Sequence, residues 1–227
     1  MKGEPDIAVP ARALADPARA RIVQALLGNR PIPAGELARI AGVSASTTSE
    51  HLRVLVSAEI AIAEQRGRNR YYRLTSNDVS HAIEALQAIA PRTEIRSLRQ
   101  HRVSEELREA RTCYDHLAGD LGLRLTDLLV QHRIITELRV GCVTDPPKPF
   151  PNGPVTTTLG IGPPHGRRPW ARGCLDWTGR RPHVAGQVGA QVLATLQANE
   201  WITSRARSRA VQLTEEGEQG LHELETL

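Results

Sequence analysis

The chain has 227 residues, of which 40% are hydrophobic and only 3% aromatic. A chain of this length buries roughly 70% of the surface its unfolded form exposes, so it needs no staples, and its cores must be built from Leu, Ile, Val and Ala. The formal charge is +4, carried by 27 Arg against 2 Lys; guanidinium suits bidentate phosphate and guanine contacts, although a genome-wide bias toward Arg produces the same excess.

The opening MKGEPDIAVPARALADP has no apolar run, and no 18-residue apolar stretch follows it. This reading leaves out a secretory leader and a membrane span. The three cysteines, Cys113, Cys142 and Cys174, have no regular disulfide spacing. The expected location is the cytoplasm, with reduced thiols.

In chain order, DPARARIVQALLG predicts a helix with Asp16 as its cap and Pro17 at its first position. Ala18, Ile22 and Leu26 form its apolar stripe and Gly28 ends it. PAGELARIAG predicts a short helix with Leu37 and Ile40 inward. VSASTTSEHLRVLVSAE predicts a second helix after a Gly42–Val43 turn, capped by Ser44, with Leu52 and Leu55 inward. IAIAEQRGRNRYYRLT alternates around Gly67 and Asn69, the pattern of a two-stranded hairpin. NDVSHAIEALQAIA predicts a closing helix capped by Asn77 or Asp78.

The order helix, turn, helix, hairpin is that of a winged helix-turn-helix, whose second helix is narrow enough to enter the major groove. Ser46, Ser49, Glu50 and Arg53 follow one another at helical spacing on its outer face. Ser44 and Thr47 stand at its N-terminus, where backbone N–H groups attract a phosphate. Arg66, Arg68 and Arg70 alternate along the wing and suit phosphates or a minor groove.

Residues 92–112 read as a charged connecting helix, a solvated connector or a dimer-facing arm. Beyond it an internal repeat appears. HLAGDLGLRLTDLLVQHRIIT (116–136) aligns without gaps to HVAGQVGAQVLATLQANEWIT (183–203). Each copy follows a Cys with an Asp two residues on. LRVLVSAEI (52–60) also resembles LATLQANEW (193–201), and RGRNRYYRLT (66–75) resembles RARSRAVQLT (205–214). The end of the chain therefore reads as a degenerate winged-helix-like module. Whether it touches DNA through Arg205, Arg207 and Arg209 stays open. Residues 142–173, rich in Pro and Gly, read as loop or partly disordered. The fold class is mainly α with small β-hairpins, an α+β mix. Its parts are a winged helix-turn-helix at residues 1–91, the connector at 92–112 and a regulatory half at 113–227.

LADPARARIVQALL, ELARIAGVSASTTSEHLRVLVSAEI and RGRNRYYRL resemble the ArsR/SmtB-type bacterial transcriptional repressors. CYDHLAG and CLDWTGRRPHVAG resemble a longer-chain branch with an added C-terminal half. The resemblance implies a homodimer on a palindromic double-stranded operator, with repression relieved by a ligand, a metal or a redox event. It also implies that the first and last helices of residues 7–90 form the dimer interface. Two metal sites of the family are missing here. Ala38 and Ile40 stand where some members carry Cys-x-Cys, and Asp78 and His81 lack a second ligand pair.

Cys113, Asp115, His116, Cys174, Asp176 and His183 are the candidate sensor residues. On a helix, Cys113 and His116 share a face, and thiolate with imidazole suits zinc or another thiophilic metal. Two half-sites could meet, or Cys142 could join the other cysteines in a trigonal thiolate site. The competing readings are a core, with Gly119, Gly122, Gly186 and Gly189 permitting close helix packing, and a pocket for a small organic effector walled by Tyr114, Trp177 and Trp201. An enzyme is disfavoured: LGIGPPHG puts prolines where a phosphate-loop helix starts, and no nucleophile elbow or metalloprotease motif occurs. A thiol- or metal-dependent redox protein and a winged-helix interaction scaffold remain as alternatives.

Overall fold

Asp16 caps its helix as the sequence requires: its carboxylate accepts from the backbone N–H of Ala18 and Arg19 at 2.8 and 3.0 Å. The computed structural model describes residues 3–205 and 208–227. Its packing forms two units, Met1–Ile83 and Glu84–Leu227.

The first unit contains α1 (Ala8–Leu14), α2 (Pro17–Leu26), β1 (Ile32–Pro33), α3 (Ala34–Ala41), α4 (Ala45–Ser57), β2 (Ala61–Arg66) and β3 (Asn69–Leu74). The strands order as β1-β3-β2, so the wing hairpin gains a third, two-residue strand. Ile22, Leu26, Leu37, Leu52, Leu55 and Leu74 are buried at its centre. On α3 the inward pair is Leu37 with Ala38, and Ile40 is only half-buried. The last helix, α5 (Asn77–Ile89), crosses the division between the units. Its cap is Ser76, not Asn77 or Asp78: the Ser76 hydroxyl accepts from the N–H of Val79 at 3.3 Å.

In the second unit, α6 (Leu98–Glu109) begins on a Ser97 cap and has no buried residue. It is shorter than the expected connector: residues 91–96 are irregular, and Arg111 and Thr112 already belong to a strand. Then follow β4 (Arg111–Cys113), β5 (His116–Ala118) and α7 (Asp120–Gln131). After β6 (Val143–Thr144) and α8 (Pro154–Thr158) come β7 (Ala171–Leu175), β8 (Pro182–Ala185) and α9 (Gly186–Ala198). The chain ends in β9 (Ile202–Ser204), β10 (Val211–Leu213) and α10 (Glu215–Glu225), the expected helix, hairpin, helix order. Ala206 and Arg207 lie outside the described residues. No helix among the described residues is long and apolar enough to cross a membrane.

The sequence repeat is a structural repeat, β4-β5-α7 and β7-β8-α9. Gly119 and Gly186 each stand before or at the first helical position with positive φ, 80° and 85°, which a side chain would resist. The helices also end alike. Arg133 and Glu200 adopt left-handed φ of 55° and 58°, and the next residue donates back to Leu129 or Leu196 at 2.9 Å. Glu59, after α4, repeats this ending with φ 56° and an Ile60-to-Leu55 bond of 3.0 Å. The same helix-stop geometry thus ends each of the three segments that resemble each other in sequence.

Residues 142–173 are not simply loop. Val155, Leu159, Ile161 and Trp170 are buried in the main core of the second unit with Leu125, Leu129 and Val188. Pro and Gly hide the periodicity here, because the apolar side chains are delivered by turns and one short helix rather than by a long amphipathic element.

Candidate nucleic-acid interface and Cys–His cluster

α4 presents Ser44, Ser46, Thr47, Ser49, Glu50 and Arg53 to solvent, while Thr48, Leu52 and Leu55 of the same helix are buried. The 3.6-residue period separates the two faces. Ser44 is partly committed to structure: its side chain accepts from the N–H of Thr47 at 3.1 Å and lies 2.8 Å from the Thr47 hydroxyl. Ser49 donates to the carbonyl of Ala45 at 2.9 Å. Arg53 pairs with Glu50 one turn away, and that contact holds the Glu50 carboxyl below its usual range. An exposed pair of this kind exchanges readily with a better acceptor such as phosphate.

On the wing, Arg66, Arg68 and Arg70 are exposed around the Gly67 turn. Arg66 stacks over the Tyr71 ring at 5.5 Å and reaches Glu64 at 2.9 Å, which fixes its stem beside the tip. Glu64 is held below its ordinary range by hydrogen bonds from Arg73 and then Arg66. All nine residues expected to contact DNA therefore lie on the surface of the first unit.

The second unit brings Cys113, His116, Cys174 and His183 together. Their ligand atoms all lie within 4.8 Å of one another, and all four residues are buried. They sit not on helices but on two antiparallel hairpins. Cys113 is the cross-strand partner of His116, and Cys174 that of His183. Opposed residues on neighbouring strands share a face, so each hairpin offers one thiol and one imidazole on the same side. A helix through residues 113–116 is replaced by a two-residue turn, in which Tyr114 takes φ 60°. Spacing alone does not separate the two arrangements. Cys142 is exposed and outside the cluster, so the trigonal thiolate site does not form.

Inside the cluster, the Nε2 atoms of His116 and His183 are 3.1 Å apart and the two Sγ atoms 3.9 Å apart. The other nitrogen of each ring turns to a carboxylate. His116 Nδ1 lies 3.4 Å from Asp115 Oδ1, and His183 Nδ1 lies 3.6 Å from Asp176 Oδ2. Arg168 clamps Asp115 through two bonds of 2.6 and 3.0 Å. Arg111, fully buried, donates to Asp176 at 2.9 Å and lies under the Trp177 ring at 4.6 Å. Asp176 also accepts from the backbone N–H of Gly119 at 2.7 Å and Gly179 at 2.9 Å. Glu84 balances the site further, 3.9 Å from Arg111 and 2.7 Å from Arg209.

These contacts set the charges. Burial pushes the Asp115 carboxyl upward, but bonds from His116 and Arg168 win and bring it down to about 2. Burial likewise opposes ionisation of Asp176, yet the Arg111 charge and the Thr178, Gly179 and Gly119 bonds hold it well below the usual range. The Cys113 thiol is pushed well up by its bond to Cys174 and by burial. Burial pulls His116 down, but Cys113 and Asp115 outweigh it and raise the imidazole to about 9. The two Nε2 atoms and the two thiol sulfurs converge within one buried cluster, a donor set that suits a thiophilic cation between them.

Asp115 and Asp176 therefore back the imidazoles and do not join the four-atom cluster. The sequence reading missed Arg111 and Arg168, whose roles depend on partners 65 and 53 positions away. It also left Arg209 open as a DNA contact; that guanidinium is 7% exposed and bound to Glu84. Arg205 is exposed, and Arg207 lies outside the described residues. Of the aromatic residues, Trp201 packs against the core and Trp177 stacks on Arg111.

A helix-turn-helix domain family model matches residues 14–63. The chain is 37% identical over 217 residues to the uncharacterized HTH-type transcriptional regulator YdfF of Bacillus subtilis, covering 94% of each chain. It is 39% identical over 75 residues to the HTH-type transcriptional regulator CmtR of Mycobacterium tuberculosis, covering 33% of this chain and 63% of that one. Among solved structures, the NMR structure of the cadmium metal-sensor CMTR from M. tuberculosis is similar at 34% identity and a TM-score of 0.31, covering 40% of this chain and 97% of that one. The chain belongs to the ArsR/SmtB-type winged helix-turn-helix transcriptional regulators, in a longer-chain branch, and is a DNA-binding regulator.

Proposed function

We propose that the protein is a repressor that binds a palindromic operator as a homodimer, released by a signal sensed in its C-terminal half. The carrying observation is the exposed polar face of α4 beside the arginine-tipped wing. Residues 1–91 supply DNA binding and residues 113–227 the sensing. Ser46, Ser49, Glu50 and Arg53 read base edges. Ser44, Thr47, Arg66, Arg68 and Arg70 position the backbone. A regulator of this kind works in the cytoplasm.

Dimerisation is supported by apolar side chains left in solvent on the two helices that the family resemblance assigns to the interface. Ile7 at the start of α1 and Ile89 at the end of α5 are each 80% exposed. The inducer is a thiophilic metal or a small organic molecule, and the converging thiols and imidazoles favour the metal.

Fluorescence anisotropy on the DNA upstream of the protein's own gene tests this reading. Affinity should fall steeply with salt, and each wing Arg→Ala substitution should reduce the salt slope by about 1. Arg53→Ala should cost about 1–3 kcal/mol and relax sequence preference. Absence of binding at any salt concentration, or a monomer in sedimentation, would remove the corresponding part of the proposal.

A further inference from the structure

We propose that Cys113, His116, Cys174 and His183 bind one zinc-class divalent ion in a closed tetrahedral site, with Asp115 and Asp176 orienting the two imidazoles. The proposal deepens the reading of the C-terminal half as the sensing half, and it rests on that reading for its regulatory consequence alone.

Distance is the first argument. Zinc bonds of about 2.3 Å to sulfur and about 2.0–2.1 Å to nitrogen give tetrahedral edges of about 3.8 Å for S···S and about 3.3 Å for N···N. The two thiols are 3.9 Å apart and the two Nε2 atoms 3.1 Å apart. Both pairs already stand at the spacing that a single ion between them requires.

Charge is the second argument. Asp115 is paired with Arg168, and Asp176 with Arg111. The outer carboxylates are therefore already neutralised. The inner set is two thiols and two imidazoles in a site closed to solvent. A divalent ion with two thiolates and two neutral imidazoles is electrically neutral, so the buried site carries no uncompensated charge. Binding releases the two thiol protons, together with the extra proton that a charged His116 carries, to solvent, and no electron moves.

The outer shell is the third argument. A metal-bound imidazole generally donates its remaining N–H to a carboxylate, which fixes the ring and its tautomer. Asp115 and Asp176 stand at those positions on His116 and His183. Each hairpin thus contributes a thiol, an imidazole and a backing carboxylate. Four protein ligands leave no open position, which marks a structural or sensing site rather than a catalytic one. The ion would tie one repeat to the other.

The test uses the full chain, purified under reducing conditions. Metal content should be one zinc per chain. Metal-stripped protein titrated with Co2+ should develop the ligand-field and thiolate charge-transfer absorption of a tetrahedral two-sulfur, two-nitrogen site, saturating at one equivalent. Cys113→Ser and His183→Asn should abolish that spectrum, and Cys142→Ser should keep it. Asp115→Asn, which leaves all four ligands in place, should weaken zinc binding about 10–100-fold. No uptake of Zn2+ or Co2+ by the reduced wild-type chain overturns the proposal, and so does a Co2+ spectrum unchanged by Cys113→Ser. A Cys113–Cys174 disulfide that persists in reductant and blocks uptake overturns it as well.

DNA affinity measured on the same samples keeps the two readings apart. Stoichiometric metal with DNA affinity indifferent to it supports the site and sinks metal sensing. DNA binding without metal uptake sinks the site and leaves the regulator.

Discussion

The two Cys–His hairpins present the same ligands through different supports. In the first, a two-residue turn carries Asp115, which is partly exposed and held by Arg168, itself 36% exposed. In the second, Asp176 and Arg111 are both fully buried, and Asp176 is bound by three backbone amides besides. One half of the cluster leans on a clamp that water can reach, and the other on an ion pair sealed in the core. A repeat can therefore duplicate its inner residues while its outer contacts diverge with depth. Arg111 stands on β4, so the buried pair also ties the first hairpin to the second.

The sharpest way to break the comparison is to remove each carboxylate in turn. Asp176→Ala leaves the buried Arg111 guanidinium with Glu84, at 3.9 Å, as its carboxylate partner, and breaking a buried pair in this way costs about 3–5 kcal/mol. Asp115→Ala frees an Arg168 that can turn to solvent, so its cost should be about 1 kcal/mol or less. Denaturant unfolding followed by tryptophan fluorescence reads the difference directly, because Trp170, Trp177 and Trp201 all lie in the second unit. Equal costs would mean that depth does not separate the hairpins.

A glycine pair sharpens the same contrast from the helix side. The first turn of α7 approaches the second hairpin, and that of α9 approaches the first. A Cβ added at Gly189 would stand 2.6 Å from the Val184 carbonyl and 2.9 Å from His116 Cβ. At Gly122 it would meet the Leu117 carbonyl at 2.5 Å but remain 3.8 Å from His183 Cβ. Both Gly→Ala changes should destabilise by about 1–3 kcal/mol through overpacking. Only Gly189→Ala presses on a cluster histidine, so it should weaken Co2+ binding more than Gly122→Ala does. Titration of the two variants side by side checks this.

Much of this architecture is legible in the sequence because its signals are local. Asp16 and Ser44 cap neighbours two or three residues away, Pro17 fits the first helical position, and the alternation around Gly67 needs only the adjacent strand. The repeat itself located the two half-sites, although the pattern Cys-x-x-His fits a helix turn and a tight hairpin equally. What decides is Tyr114 in a left-handed conformation and the pairing of Arg111 with Ala118, neither of which has a sequence signature. Arg111 was hidden for a stronger reason. In a chain with 27 arginines, nothing local marks the one that is fully buried against Asp176. The core role of Val155 and Trp170 was hidden because turns rather than a periodic helix bring them inward.

The smallest effect concerns the helices that follow the hairpins, and it repeats the contrast between surface and depth. After the second hairpin, Gln187 on α9 is buried and donates to the carbonyls of His165 and Arg168 at 2.7 and 2.6 Å. After the first, Arg124 on α7 reaches out to α10, meeting Glu225 at 2.6 Å and Glu218 at 2.8 Å with its own side chain 30% exposed. Arg124→Ala should cost only about 0.5–1 kcal/mol, and less in high salt. Hydrogen bonding to Arg124 holds the Glu225 carboxyl below its ordinary value. A depressed carboxylate contributes its stability above the unfolded-state value near about 4.3 and loses it as pH falls through the lower folded one. The difference between wild type and Arg124→Ala should therefore be full at neutral pH and shrink below about pH 4. Unfolding curves across that range check the sign, and a gap that widened in acid would contradict an ion pair at this position.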